Sequence, residues 1–79
     1  MLIQIEISSA LPITIPVSGK NLTRDQWDVD EDTRIDEMLD MLNLTKIPTL
    51  LILNGDVVNE DSILKEGDTL KIFPVVSGG

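Results

Sequence analysis

The chain has 79 residues, fewer than the 100–150 of a common domain, which leaves room for one small core and excludes a second domain. Fourteen acidic and six basic residues give a net charge of −8, which argues against binding to nucleic acid or to an anionic membrane. Cysteine and histidine are both absent. Disulfides, thiolate nucleophiles and imidazole bases are therefore excluded, and we expect a partner-dependent protein rather than an enzyme, with no catalytic or metal-binding residue of its own.

The hydropathy pattern carries no sign of a membrane or secretory protein. No apolar run approaches the ~20 residues that span a bilayer. The opening MLIQIEISSA lacks the basic start of a signal peptide. We therefore expect the protein to be cytoplasmic.

The first third of the chain contains one clear strand and two candidates for its partner. Isoleucines alternate with polar residues over 3–7, which predicts a strand with one buried face. The segment 13–17 also alternates, but Pro16 would restrict it to a sheet edge. Trp27 and Val29 mark the second candidate, a short strand or a loop in which Trp27 packs in a small satellite cluster. The sequence leaves open which segment pairs with the first strand.

A helix follows in the middle of the chain. Thr33 and Asp36 have the spacing of a capping box, and acidic residues crowd this end, where the helix dipole favours them. Pro48 is the predicted exit. The apolar stripe has the i, i+3, i+4, i+7 spacing of a buried helix face and consists of Ile35, Met38, Leu39 and Leu42.

The last third predicts three further elements. In TLLILNGDVV, Asn54-Gly55 is a tight-turn signal between two strands. Residues 62–64 form a turn of helix or a tucked loop, and 66–68 a second turn. A last strand starts at Leu70, and Pro74 ends its pairing. The order strand–strand–helix–strand–strand–strand predicts an α+β fold of the β-grasp, ubiquitin-like type, in which a mixed sheet of four to five strands packs on one main helix.

The chain ends in a segment with no apparent packing role. We assign 1–74 to the domain and 75–79 to a flexible tail, which reaches at most ~17 Å when extended. Two final glycines would present a narrow backbone and an unhindered carboxylate to another protein's active site. A carboxylate is a poor electrophile, so its chemistry would require activation, most simply adenylation by ATP. The alternative is an inert terminus. The tail residues are Val75, Val76, Ser77, Gly78 and Gly79.

These features together resemble a known family. LNGDVVNEDSILKEGDTLKIFPVVSGG resembles the carboxyl half of the sulfur-carrier family, ubiquitin-like proteins that include the small subunit of molybdopterin synthase and the thiamine-pathway sulfur carrier. The matching features are Asn54-Gly55, the turn 64–68 and the ending 74–79. The resemblance is good over 30–79 and extends to the first strand in pattern only.

The resemblance implies a mechanism centred on Gly79. A ubiquitin-activating-type enzyme using ATP and magnesium would adenylate its carboxyl, a persulfide sulfur donor would convert it to a thiocarboxylate, and an acceptor synthase would receive the sulfur. The carrier itself would bind no cofactor. Gly78, Ser77, Val76 and Val75 would enter the partners' active sites.

Two departures leave the pathway open. Val75 stands where molybdopterin-type members often carry a second proline, and residues 8–29 are longer than a minimal member needs. Molybdopterin and thiamine synthesis both remain candidates. A modifier joined to lysines through the same glycine, or a plain β-grasp interaction module with an inert tail, are the alternatives.

Two surface features complete the hypothesis. If Leu70 and Ile72 face the core, Phe73 faces outward and forms a partner-contact patch with Pro74 beside the tail. The alternative is that Phe73 closes the core. The acidic residues between 25 and 40 form a solvated face or dock on a basic partner. They lack the Gly and Glu that a calcium loop needs at its sixth and twelfth positions.

Overall fold

The computed structural model describes residues 1–11 and 25–75. The strand predicted over 13–17 and the tail beyond Val75 lie outside the described residues. The described residues form five short strands and one short helix. The elements are β1 (Leu2–Ile7), β2 (Gln26–Asp28), α1 (Ile35–Met41), β3 (Thr49–Leu53), β4 (Asp56–Val58) and β5 (Thr69–Pro74).

The five strands form one mixed sheet in the order β2-β1-β5-β3-β4. The first and last strands, β1 and β5, run parallel at its centre, and the other three pairings are antiparallel. This arrangement confirms the predicted β-grasp fold.

Of the two candidate partners of the first strand, the described residues include only 26–28. They pair antiparallel with β1, and Ile3 lies opposite Trp27. Because residues opposite each other in a pair share one face of the sheet, Trp27 points with Ile3 into the main core, where it is 1 % exposed. The prediction of a separate satellite cluster was wrong.

The core lies between the sheet and the helix. All four residues of the predicted helical stripe are buried in it, which confirms the register of α1. No helix in residues 1–11 and 25–75 is long and apolar enough to cross a membrane. The remaining buried apolar residues come mainly from the strands and loops: Ile3, Ile5, Leu11, Trp27, Val29, Leu44, Leu51, Leu64, Leu70 and Ile72.

Both ends of the helix differ from the prediction. The N-cap is Arg34, one residue after Thr33, and its backbone N–H donates to Oε1 of Glu37 at 3.1 Å. The helix ends at Met41, well before Pro48. Asn43 adopts φ 59° there, and the Leu44 N–H donates to the Leu39 carbonyl at 2.8 Å. Asparagine tolerates this left-handed conformation. A Schellman-type cap therefore ends the helix here, and no proline is needed to end it.

The turns behave as predicted. Asn54 and Gly55 both have positive φ, 51° and 90°, as a two-residue hairpin between β3 and β4 requires. Residues 62–64 form the tucked loop rather than a turn of helix. Leu64 is buried, and its N–H donates to the Thr33 carbonyl at 2.8 Å.

Candidate functional site

β5 ends beside the start of β3, immediately before the predicted tail. Pro74 lies opposite Thr49, and the Val75 N–H donates to the Pro48 carbonyl at 3.2 Å. In antiparallel pairs, hydrogen-bonded and non-hydrogen-bonded positions alternate. Pro74 occupies a non-bonded position towards β3, so its missing N–H costs nothing there. β5 and its register with β3 end at Pro74, as predicted, and the hydrogen bond from Val75 adds one contact with the segment before β3.

The proposed reactive group, the carboxyl of Gly79, follows four residues after Val75 in the sequence. Val75 is the last described residue and is 50 % exposed. The four residues that follow it, Val76 to Gly79, would span at most ~14 Å when extended. Their role and the boundary between domain and tail at Pro74 stay predictions.

An apolar strip lies on the open face of the sheet, next to this exit. Leu50 and Phe73 are opposite each other in the β3–β5 register and are 40 % and 38 % exposed. Strand alternation brings Ile52 and Val75 to the same face, and Ile52 lies opposite Val57 of β4. We call this set the apolar strip: Leu50, Ile52, Val57, Phe73 and Val75.

The structure refines the predicted partner-contact patch. Leu70 and Ile72 are fully buried and Phe73 faces outward, as expected, so Phe73 does not close the core. Pro74 is half-buried and alternates to the helix side of the sheet. Phe73 therefore shares its surface with side chains of β3 and β4 rather than with Pro74.

The members of the strip on β3 and β4 were not predicted as site residues. In the run TLLIL, both faces of the strand carry apolar side chains. The composition therefore does not tell which leucine points outward. The hairpin turn does predict which residues of β3 and β4 share a face. Counting back from Asn54-Gly55 in the register of a two-residue hairpin places Ile52 opposite Val57.

Apart from Leu2, which is 50 % exposed on β1, the rest of the open face is polar, and the protein surface around it is acidic. All fourteen acidic residues lie within the described ranges, whereas only four basic side chains do. Arg34 is paired with Asp36, with 3.0 Å between Nη2 and Oδ2. The others are Lys46, Lys65 and Lys71, of which Lys71 lies on the open face beside the strip.

The described residues bring together little chemistry of their own. No group of three or more histidine, cysteine, aspartate or glutamate side chains in residues 1–11 and 25–75 is placed to hold a metal ion. The feature that these residues do present is an exposed apolar face next to Val75.

Comparisons with known proteins agree with this architecture. The model of the ThiS family matches residues 14–79, more than four-fifths of the chain. The crystal structure of SAMP1 from Haloferax volcanii matches with a TM-score of 0.62 at 18 % sequence identity, over 100 % of both chains. At that identity the likeness shows the β-grasp, ubiquitin-like fold. The match to the family model shows more: the chain belongs to the ThiS family of ubiquitin-like sulfur carriers.

Proposed function

We propose that this protein is a sulfur carrier whose working group is the carboxyl of Gly79. The observation that carries the proposal is the family match, which runs through to residue 79. The root of the tail supports it, because Val75 is anchored to Pro48 at the border of an exposed apolar strip. A partner that binds the strip would therefore receive the tail in a defined direction.

The first step is activation of the carboxylate. An oxygen of Gly79 attacks the α-phosphorus of ATP, which the activating enzyme holds with magnesium. The bond from that phosphorus to the bridging oxygen breaks and pyrophosphate leaves. The product is an acyl adenylate, in which AMP is a good leaving group.

The second step replaces oxygen by sulfur. The terminal sulfur of a persulfide attacks the carbonyl carbon, the carbon–oxygen bond to AMP breaks, and AMP departs with the electron pair. A thiol then attacks the other sulfur of the resulting acyl disulfide. The thiol is oxidised to a disulfide, and the carrier is released as a thiocarboxylate that an acceptor synthase can use.

The carrier's own residues contribute position rather than acid–base catalysis. Glycine at the last two places leaves no β-carbon beside the attacked carbon. The partner's active-site channel and the attacking nucleophile therefore contact only backbone atoms there. The apolar strip would contact the activating enzyme and then the acceptor. Its aromatic and aliphatic side chains are the kind that carry binding energy at protein interfaces.

The test follows the fate of the carboxyl. The protein purified from its native host is first weighed intact, because residues after Gly79 in the native product would overturn the proposal. It is then incubated with the ubiquitin-activating-type enzyme of the same organism, ATP, magnesium and a persulfide donor. We expect the mass gain of one oxygen replaced by sulfur. Ladders of conjugates on lysines would instead identify a protein modifier.

Two variants serve as controls. Deletion of Gly79, or addition of one alanine after it, should abolish adenylation while leaving the melting temperature nearly unchanged. Full activity of the alanine-extended protein would contradict a mechanism at this carboxyl. Candidate acceptors from molybdopterin and thiamine synthesis, supplied in turn, then distinguish the two pathways.

A further inference from the structure

Lys71 lies where the apolar strip meets the polar half of the open face. It is on β5, the central strand of the sheet, two residues before Phe73. In the register its neighbours are Ile52 on β3 and Glu6 on β1. Its side chain is exposed, and no ion pair of its ammonium is found within residues 1–11 and 25–75. An unpaired cation thus borders the strip of a strongly acidic protein.

We propose that Lys71 determines which partner can dock, by pairing with a carboxylate on the apolar surface that covers the strip. The inference rests on the proposed function, which supplies the activating enzyme as that partner. The partner surface would be apolar opposite Leu50 and Phe73, with one acidic side chain opposite Lys71. This is a more specific requirement than a basic surface that attracts an acidic protein.

The physical reason is the cost of desolvation. A partner that covers the strip also covers the middle of the sheet, and water leaves the ammonium of Lys71. A charge that loses its water without gaining a partner destabilises the complex. A carboxylate opposite Lys71 removes that penalty, and a partner without one is rejected.

Long-range electrostatics predicts the opposite effect of removing this lysine, which makes the proposal testable. The chain carries a net charge of −8. Loss of any lysine makes it more acidic and should strengthen its attraction to a basic partner. Weaker docking after loss of Lys71, but not after loss of another exposed lysine, therefore indicates a specific pair. Lys65 is the matched control, because it is exposed in the turn before β5, away from the strip.

The experiment measures ATP–pyrophosphate exchange by the activating enzyme of the same organism as a function of carrier concentration. We expect Lys71→Met to raise the KM for the carrier roughly tenfold with kcat unchanged. Lys71→Arg should stay within about twofold of the wild type, because it keeps the charge. Lys65→Met should leave the KM unchanged or lower it. Thermal melting should be the same for all four proteins, since both lysines are exposed.

A second experiment identifies the carboxylate of the enzyme that pairs with Lys71. The Lys71→Glu carrier should have a raised KM, and replacing that one carboxylate of the enzyme by lysine should restore the KM. Glu6→Gln tests the carboxylate that lies opposite Lys71 in the β1–β5 register, and we expect no increase in KM.

Several outcomes would overturn the proposal. Equal effects of Lys71→Met and Lys65→Met would reduce the role of Lys71 to net charge. A loss with Glu6→Gln as large as with Lys71→Met would make the pair intramolecular. If Lys71→Met is adenylated with the same KM as the wild-type chain, the inference about Lys71 fails and the proposed function stands. If the wild type is not adenylated at all, the proposed function fails and the inference with it.

Discussion

Asn54 and Asp68 join two turns that are far apart in sequence. Nδ2 of Asn54 donates to Oδ1 of Asp68 at 2.9 Å, and the Thr69 N–H donates to Oδ1 of Asn54 at 3.0 Å. Oδ2 of Asp68 accepts from the Lys65 N–H at 2.7 Å. The hairpin after β3 is thereby tied to the turn before β5. The two internal motifs that carry the family resemblance, Asn54-Gly55 and 64–68, are thus one hydrogen-bonded structural unit.

The turn before β5 also forms hydrogen bonds with the first strand. Gly67 has φ 82°, a conformation that glycine adopts without strain, and its N–H donates to the Leu2 carbonyl at 2.8 Å. The Gln4 N–H donates to the Asp68 carbonyl at 2.9 Å. The motif therefore holds β1, β3 and β5 together.

Removing the Asp68 carboxylate should loosen this junction. Asp68→Ala leaves the Lys65 N–H and the Asn54 amide without their acceptor, and we expect the free energy of unfolding to fall by about 1–2 kcal/mol. Urea denaturation followed by Trp27 fluorescence measures it. Asp56→Ala is the control, because Asp56 is exposed in the same hairpin. Equal effects of the two substitutions would show that the hydrogen bonds of Asp68 contribute nothing.

Two substitutions of Asn43, at the end of the helix, should have different effects on stability. Asn43→Ala removes the short polar side chain that lets asparagine tolerate the left-handed conformation, and should cost about 1 kcal/mol of stability. Asn43→Gly should be neutral or stabilising, because glycine is the preferred residue at this position. Thermal unfolding of both variants checks the cap. A glycine variant less stable than the alanine variant would contradict it.

The helix register is tested in the core. Leu39 is buried against the sheet, so Leu39→Ala should reduce the free energy of unfolding by ~2–5 kcal/mol through lost burial and the cavity left behind. Asp40→Ala, one residue further on the exposed side, should change stability little. A nearly neutral effect of Leu39→Ala in denaturant titration would refute the packing of α1.

The role of the apolar strip in docking is tested by a substitution that preserves β-strand propensity. Phe73→Thr keeps a good strand former but removes the aromatic contact, and should raise the KM of adenylation roughly tenfold with little change in melting temperature. Ile63→Thr alters an apolar side chain that is 49 % exposed but lies outside the strip. If both variants are activated equally well, the strip is not the docking surface.

Local patterns in the chain were sufficient for several features. The spacing of Ile35, Met38, Leu39 and Leu42 predicted the buried side of the helix, because helical geometry alone determines which residues share a face. Asn54-Gly55 predicted the hairpin, since few residue pairs tolerate two positive φ angles. The ending in two glycines, with the turn 64–68, indicated the family that the comparison later showed.

Other features depended on parts of the chain that meet only in the fold. The pairing of 26–28 with β1 buried Trp27, and the register between β3 and β5 turned Leu50 and Phe73 outward. Alternation within a strand fixes which residues share a face but not which face is covered. That choice belongs to long-range packing, which sets the helix against one side and leaves the other, with Lys71 on it, open to a partner.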